Sequence, residues 1–188
     1  ASDRIDHVKI TTMQILNCPE IWLKNKIKTY KKYEVQPYLD HTYFMKAYEI
    51  GEVDKAIILG KELGFEYIEF MSTYKDIPEE NLLKWRELSK KLELNMFYEH
   101  HPKRNWFKSS DEETSAFEDI ISMANPFIED GAKMLVLDHE EFELQNNKGE
   151  INYKEIIDYY GKDKICFEIT SPKEGNERWL HDLKKYFR

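Results

Sequence analysis

The chain has 188 residues, of which 41% are hydrophobic, and a formal net charge of −8. This length and apolar content suit one globular domain over residues 1–188 and exclude a disordered chain. The acidic balance argues against nucleic acid as a partner, since that rewards clustered Lys and Arg. No apolar run nears the roughly 20 residues of a membrane helix, and two cysteines, Cys18 and Cys166, are too few for a disulfide framework.

The first segment, ASDRIDHVKI, is charged and lacks the apolar core of a signal peptide, so a cytoplasmic protein is expected. Its apolar part begins the first of six short runs that read as buried parallel strands, Ile5–Thr11. Pro19 then opens a helix that runs to about Tyr33. The second strand is Glu34–Leu39. An amphipathic helix over Val53–Leu63 follows, with Gly64 as its stop. The third strand is Tyr67–Ser72. Pro78 opens the next helix, where Leu82, Leu83, Trp85, Leu88 and Leu92 fall at near-helical spacing. The fourth strand is Leu94–Glu99. Residues Glu112–Asp130 read as a helix that Pro126 either kinks or splits, ending at Gly131. The fifth strand, Lys133–Asp138, precedes a helix over Tyr153–Tyr160 that stops at Gly161. The sixth strand is Lys164–Ile169, and a helix over Glu177–Phe187 comes last. The helix tryptophans, Trp22 and Trp85 among them, are expected to pack against the sheet. Strand–helix alternation of this kind specifies a parallel sheet with right-handed crossovers, an α/β fold of the TIM-barrel type with six strands.

In such folds the reactive groups gather at the carboxyl ends of the strands and in the loops after them. Those places are rich in ionisable side chains here. Lys9 lies near the end of the first strand, and Asp40 and His41 follow the second. Glu69 sits on the third, with Ser72 and Thr73 at its end. Glu99, His100 and His101 close the fourth, followed by Lys103. Asp138 and His139 close the fifth, and Glu168 lies on the sixth. Taken singly, each glutamate reads equally well as an outward strand residue paired with a helix Lys or Arg. The histidines read more simply as surface loop residues, since no HExxH-type spacing supports a metal site. As a set, carboxylates repeated at one end of several strands point to a cation, because burying them without one is costly.

The order of these motifs resembles the phosphosulfolactate synthase family. IDHVKI is similar to that family's IDFVKLG strand, and LGFEYIEF with DIPEENLLKW to its LGFDAIEVSDG and DIPxEERL unit. DGAKMLVLDHE is similar to AGADKVIIEGRE, and KICFEIT to LIFEAP. The resemblance implies a TIM barrel that adds a small anion to a phosphorylated carboxylate with Mg²⁺. It implies Lys9, Glu99 and Lys103 as catalytic residues, with Glu69, Glu99, Asp138 and Glu168 as the metal carboxylates. Asp40, His41, Ser72, Thr73, His100, His101 and His139 would then bind a small anionic substrate. Where the family reads YPGGTL, this chain reads QPYLDHTY, so Asp40 and His41 stand in the region of its glycines.

Three functions follow: a divergent lyase of this type with a divalent metal, a different small-molecule enzyme on the same barrel, or a non-catalytic binding relative. The family's first and last strands have no counterpart among the six runs. The first and sixth runs are then sheet edges, and a homo-oligomer is expected to cover them.

Overall fold

A computed structural model of the chain describes residues 5–71, 77–100, 117–137 and 153–168. Six strands lie in one sheet in chain order: β1 (His7–Ile10), β2 (Gln36–Leu39), β3 (Tyr67–Phe70), β4 (Asn95–His100), β5 (Met134–Leu137) and β6 (Ile165–Phe167). The pairs β1–β2, β2–β3 and β5–β6 are parallel. Each strand falls on one of the apolar runs of the sequence. Among the described residues the helices are α1 (Thr12–Asn17), α2 (Glu20–Lys32), α3 (His41–Glu49), α4 (Val53–Leu63), α5 (Glu79–Lys91), α6 (Phe117–Glu129) and α7 (Tyr153–Tyr160). No helix among them is long and apolar enough to cross a membrane. The helix expected over Glu177–Phe187 lies outside the described residues.

The chain divides into two compact units, Ala1–Phe97 and Tyr98–Arg188. In the first, strand alternation separates two jobs. Leu39 and Phe70 face the helices: the Phe44 ring of α3 stacks on Phe70 at 5.3 Å. A side chain at Gly60 of α4 would meet Leu39 Cδ2 at 3.0 Å, so a glycine lets that helix sit close. Ile57, Ile68 and Leu39 are fully buried in this layer, each contributing about 1.5–3 kcal/mol. α4 stops where its pattern says it should, at Gly64 with φ of 99°, a conformation that costs little without a Cβ.

The opposite face of the same strands begins with aromatic rings. His7 meets Phe97 edge-on at 5.0 Å and Tyr67 at 5.7 Å. Tyr38 and Tyr67 lie 5.2 and 5.1 Å from Phe97. Phe97 is fully buried by these contacts. Further along the strands this face changes from aromatic to charged.

In the second unit, Tyr98 stacks on Phe127 of α6 at 4.1 Å. α6 runs through Pro126 as one helix, so the proline does not split it. Asn125 of α6 accepts from the Tyr160 hydroxyl at 2.7 Å, linking α6 to α7. Burial, with help from Tyr159, Tyr98 and Glu129, pushes the Tyr160 hydroxyl well above its ordinary range.

Two helices escaped the sequence reading. α1 is only six residues, too short to show a period. α3 is rich in aromatic side chains that suit strands equally well, and it is set by its cap: Asp40 accepts from the Thr42 N–H. Trp22 also departs from expectation. It is 45% exposed, with Lys26 Nζ 4.8 Å from its ring rather than the sheet beneath it. Trp85 is buried, its ring edge-on to Tyr48 of α3 at 5.7 Å.

Candidate active site

The charged end of the first unit is built by three successive strands. β1 brings Lys9, the residue after β2 is Asp40, α3 opens on His41, and β3 brings Glu69. Registers pair Lys9 with Tyr38 and Tyr38 with Tyr67, so the alternate residues Asp40 and Glu69 emerge together one step beyond the aromatic rings.

Glu69 is fully buried. Its Oε2 takes the Lys9 ammonium at 3.0 Å, the His41 backbone N–H at 3.2 Å and His41 Nδ1 at 3.0 Å. An ionised carboxylate only accepts, so Nδ1 of His41 carries a proton. Three donors on one oxygen, one of them charged, offset the cost of burying the carboxylate.

Asp40 is anchored on the other side. Its carboxylate accepts from the Thr42 N–H at 3.0 Å and the Thr42 hydroxyl at 2.8 Å, and from the Thr12 N–H at 3.4 Å. The Thr42 proton is spent on Asp40, so the Thr12 hydroxyl donates to Thr42 Oγ1. Asp40 Oδ1 lies 3.5 Å from His41 Nδ1. Asp40 therefore caps α3 and fixes the start of α1 at once. Thr12 and Thr42 were missed in the sequence, although a Thr two residues after an Asp is a legible capping pattern.

Asp40, His41 and Glu69 each offer a ligand atom within 4.8 Å of the others, and all three are buried. Two carboxylates and an imidazole make a donor set suited to a divalent cation. Lys9 stands beside it, with Nζ 5.8 Å from the Tyr38 ring centre.

Of the other residues singled out in the sequence, Glu99 is buried near the end of β4. His100 is the last residue of that strand and fully buried, not a surface loop histidine. Glu168 is half-buried just past β6, its N–H donating to the Leu137 carbonyl at 2.9 Å. Ser72, Thr73, His101, Lys103, Asp138 and His139 lie outside the described residues.

Parallel strands in chain order, helices between them and ionisable side chains gathered at the strand ends define a TIM-barrel-class enzyme scaffold. The chain matches, over residues 1–182, the family model described as (2R)-phospho-3-sulfolactate synthase (ComA), and it belongs to that family. No curated protein matches it. Among solved structures it is similar to a D-psicose 3-epimerase crystallised in the presence of D-fructose, at 12% identity and a TM-score of 0.51. That match covers 95% of this chain and 71% of the other. A crystal structure of N-acetylneuraminate lyase from Mycoplasma synoviae matches at 13% identity with a TM-score of 0.43, covering 97% of this chain and 65% of that one. The first of these likenesses supports the fold alone.

Proposed function

We propose that this chain is a single-domain, cytoplasmic lyase of the phosphosulfolactate synthase type, acting on a small anionic carboxylate with a divalent cation. The observation that carries the reading is the Lys9 ammonium held 3.0 Å from a fully buried Glu69, beside Asp40 and His41. The cation, Mg²⁺ by family resemblance, would be held by Asp40, His41 and Glu69. When bound it would polarise the substrate carboxylate and stabilise an enolate-like charge. Glu99, Asp138 and Glu168 are proposed as further metal carboxylates.

The chain's own groups do the rest. Lys9 holds an ammonium proton at the site and supplies it to the developing carbanion. Lys103 is proposed as a second donor, and Glu99 as the carboxylate that positions the reacting group. Glu69 holds His41 through Nδ1, and Nε2 is proposed as the ring atom that takes a proton or a metal. The aromatic layer of Tyr38, Tyr67 and Phe97 floors the site and keeps water from the buried charges. Ser72, Thr73, His100, His101 and His139 are proposed to line the substrate. A homo-oligomer is proposed from the edge positions of β1 and β6 in the sheet order, and a 22.7 kDa species in sedimentation equilibrium would reject it.

A second reading is a different small-molecule enzyme on this scaffold. It draws on the His41–Glu69 pair, which forms an acid–base dyad in a region where the resembled family carries glycines.

The test is direct. Purified chain with Mg²⁺ is offered phosphoenolpyruvate and sulfite, and product is followed by mass spectrometry. Turnover that falls at least about a hundredfold in both Lys9→Met and Glu69→Gln supports the lyase reading. No turnover, with no divalent cation bound, rejects it.

A further inference from the structure

Asp40 is held by two threonines from two different helices. Thr42 of α3 gives its N–H to Oδ1 at 3.0 Å and its hydroxyl to Oδ2 at 2.8 Å. Thr12, at the start of α1, gives its N–H to Oδ2 at 3.4 Å. The two threonine hydroxyls also meet each other, across 30 positions of the chain. The Thr42 proton goes to a carboxylate, which only accepts, so the Thr12 hydroxyl is the donor to Thr42 Oγ1. Thr12, Thr42 and Asp40 thus form one hydrogen-bonded chain that ties the end of β1 to the end of β2. A carboxylate oxygen has about two lone-pair sites, and on Oδ2 the two threonines take both. Oδ1 instead turns toward the rest of the cluster, 3.5 Å from His41 Nδ1.

We propose that Thr12 and Thr42 are positioning residues for Asp40, and that their hydroxyl chain sets the carboxylate to meet a divalent cation through Oδ1 alone. The proposal deepens the reading given under Proposed function and rests on it. The last torsion of an aspartate side chain is broad, so without restraint Asp40 can turn and offer either oxygen or both. The hydroxyl chain removes that freedom before a cation arrives, and the ordering then takes nothing from the binding energy. It also keeps Oδ2 occupied, so that a cation meets one oxygen in one orientation. Capping is a separate matter. The cap of α3 needs the Thr42 N–H, which any residue but proline supplies at that position. Removing the hydroxyls therefore leaves the cap in place and acts on the orientation of Asp40.

The experiment titrates Mn²⁺, a spectroscopic stand-in for Mg²⁺, into the full chain by electron paramagnetic resonance. Thr12→Val and Thr42→Val each remove a hydroxyl while keeping the branched shape and the backbone N–H. Each should weaken Mn²⁺ binding by about tenfold, within the usual range for groups that orient a metal ligand. Thr42→Ser keeps the hydroxyl and should bind as the wild type does. The double valine variant should lose little more than either single one, because the two hydroxyls act as one chain. Thr12 is half-buried, so Thr12→Val carries the test alone if Thr42→Val does not fold. Wild-type affinity in folded Thr12→Val overturns the positioning role while the metal site stands. So does a loss in Thr42→Ser equal to that in Thr42→Val, because side-chain shape rather than the hydroxyl would then matter. An absence of Mn²⁺ binding to the wild type overturns the metal reading itself, and the positioning role with it.

Discussion

Lys9 on β1 and Glu69 on β3 form an ion pair across the intervening strand, 3.0 Å from nitrogen to oxygen, with the glutamate fully buried. Removing one partner takes from the other a close counter-charge at a buried position. Lys9→Met and Glu69→Gln should each destabilise the chain by about 3–5 kcal/mol. The double variant should cost less than the sum, with a coupling of about 0.5–3 kcal/mol. Urea unfolding of the four proteins measures it, and strict additivity would mean that the pair contributes nothing as a pair.

Asp40 has a structural task that can be separated from any chemical one. It caps α3 through the Thr42 N–H and takes the Thr12 N–H at the start of α1. Asp40→Ala should cost about 1 kcal/mol or somewhat more. Asp40→Asn keeps a capping oxygen and should recover most of that loss while removing the negative charge. If the two variants are equally unstable in denaturant, charge rather than capping is what Asp40 contributes.

His7 gives the first unit a sensitivity to acid. Burial against Tyr67 and Phe97 lowers its imidazole below the usual 6.5, and Asp6 opposes this only in part. The unfolded chain therefore takes up a proton near pH 6.5 that the folded chain still refuses. Stability is unaffected by this group above that pH and falls as the pH drops from 6.5 toward the lowered folded value. His7→Phe should flatten the melting temperature over that window. A profile of unchanged slope would show that other groups carry the acid response.

Gly64 ends α4 with φ of 99°, and a Cβ there would meet only the Ile27 side chain, at 3.8 Å. Space is thus available, and the strain lies in the backbone alone. Gly64→Ala should cost about 1 kcal/mol, read as a lowered urea midpoint with unchanged slope. A neutral result would mean that the helix end relaxes without loss.

The strands were legible in the sequence because each is a short apolar run closed by turn residues, and all six were found. α4 was read to its last residue since Gly64 marks it. α1 and α3 were not read. One is too short for a period, and the other starts at an Asp that reads equally well as a loop acid. The sequence marks Lys9, Asp40, His41 and Glu69 by residue type at strand ends. Their grouping was not legible. Glu69 meets a lysine two strands away and a histidine 28 positions earlier in the chain, a meeting that no spacing in the sequence announces. Period-two reasoning says which face a residue takes, but not which neighbour it meets there.

The division of labour along β1, β2 and β3 also bears on how this chain can change over generations. Leu39, Ile68 and Phe70 face the helices, while Lys9 and Glu69 project from the other face of their strands and Asp40, just past β2, caps α3. A substitution among the second group alters what the strand ends can bind while leaving the apolar layer against the helices in place, at the cost of a buried ion pair or a helix cap. Register matters to both faces: a shift of one residue in β2 would carry Asp40 toward the helix layer and Leu39 toward the site.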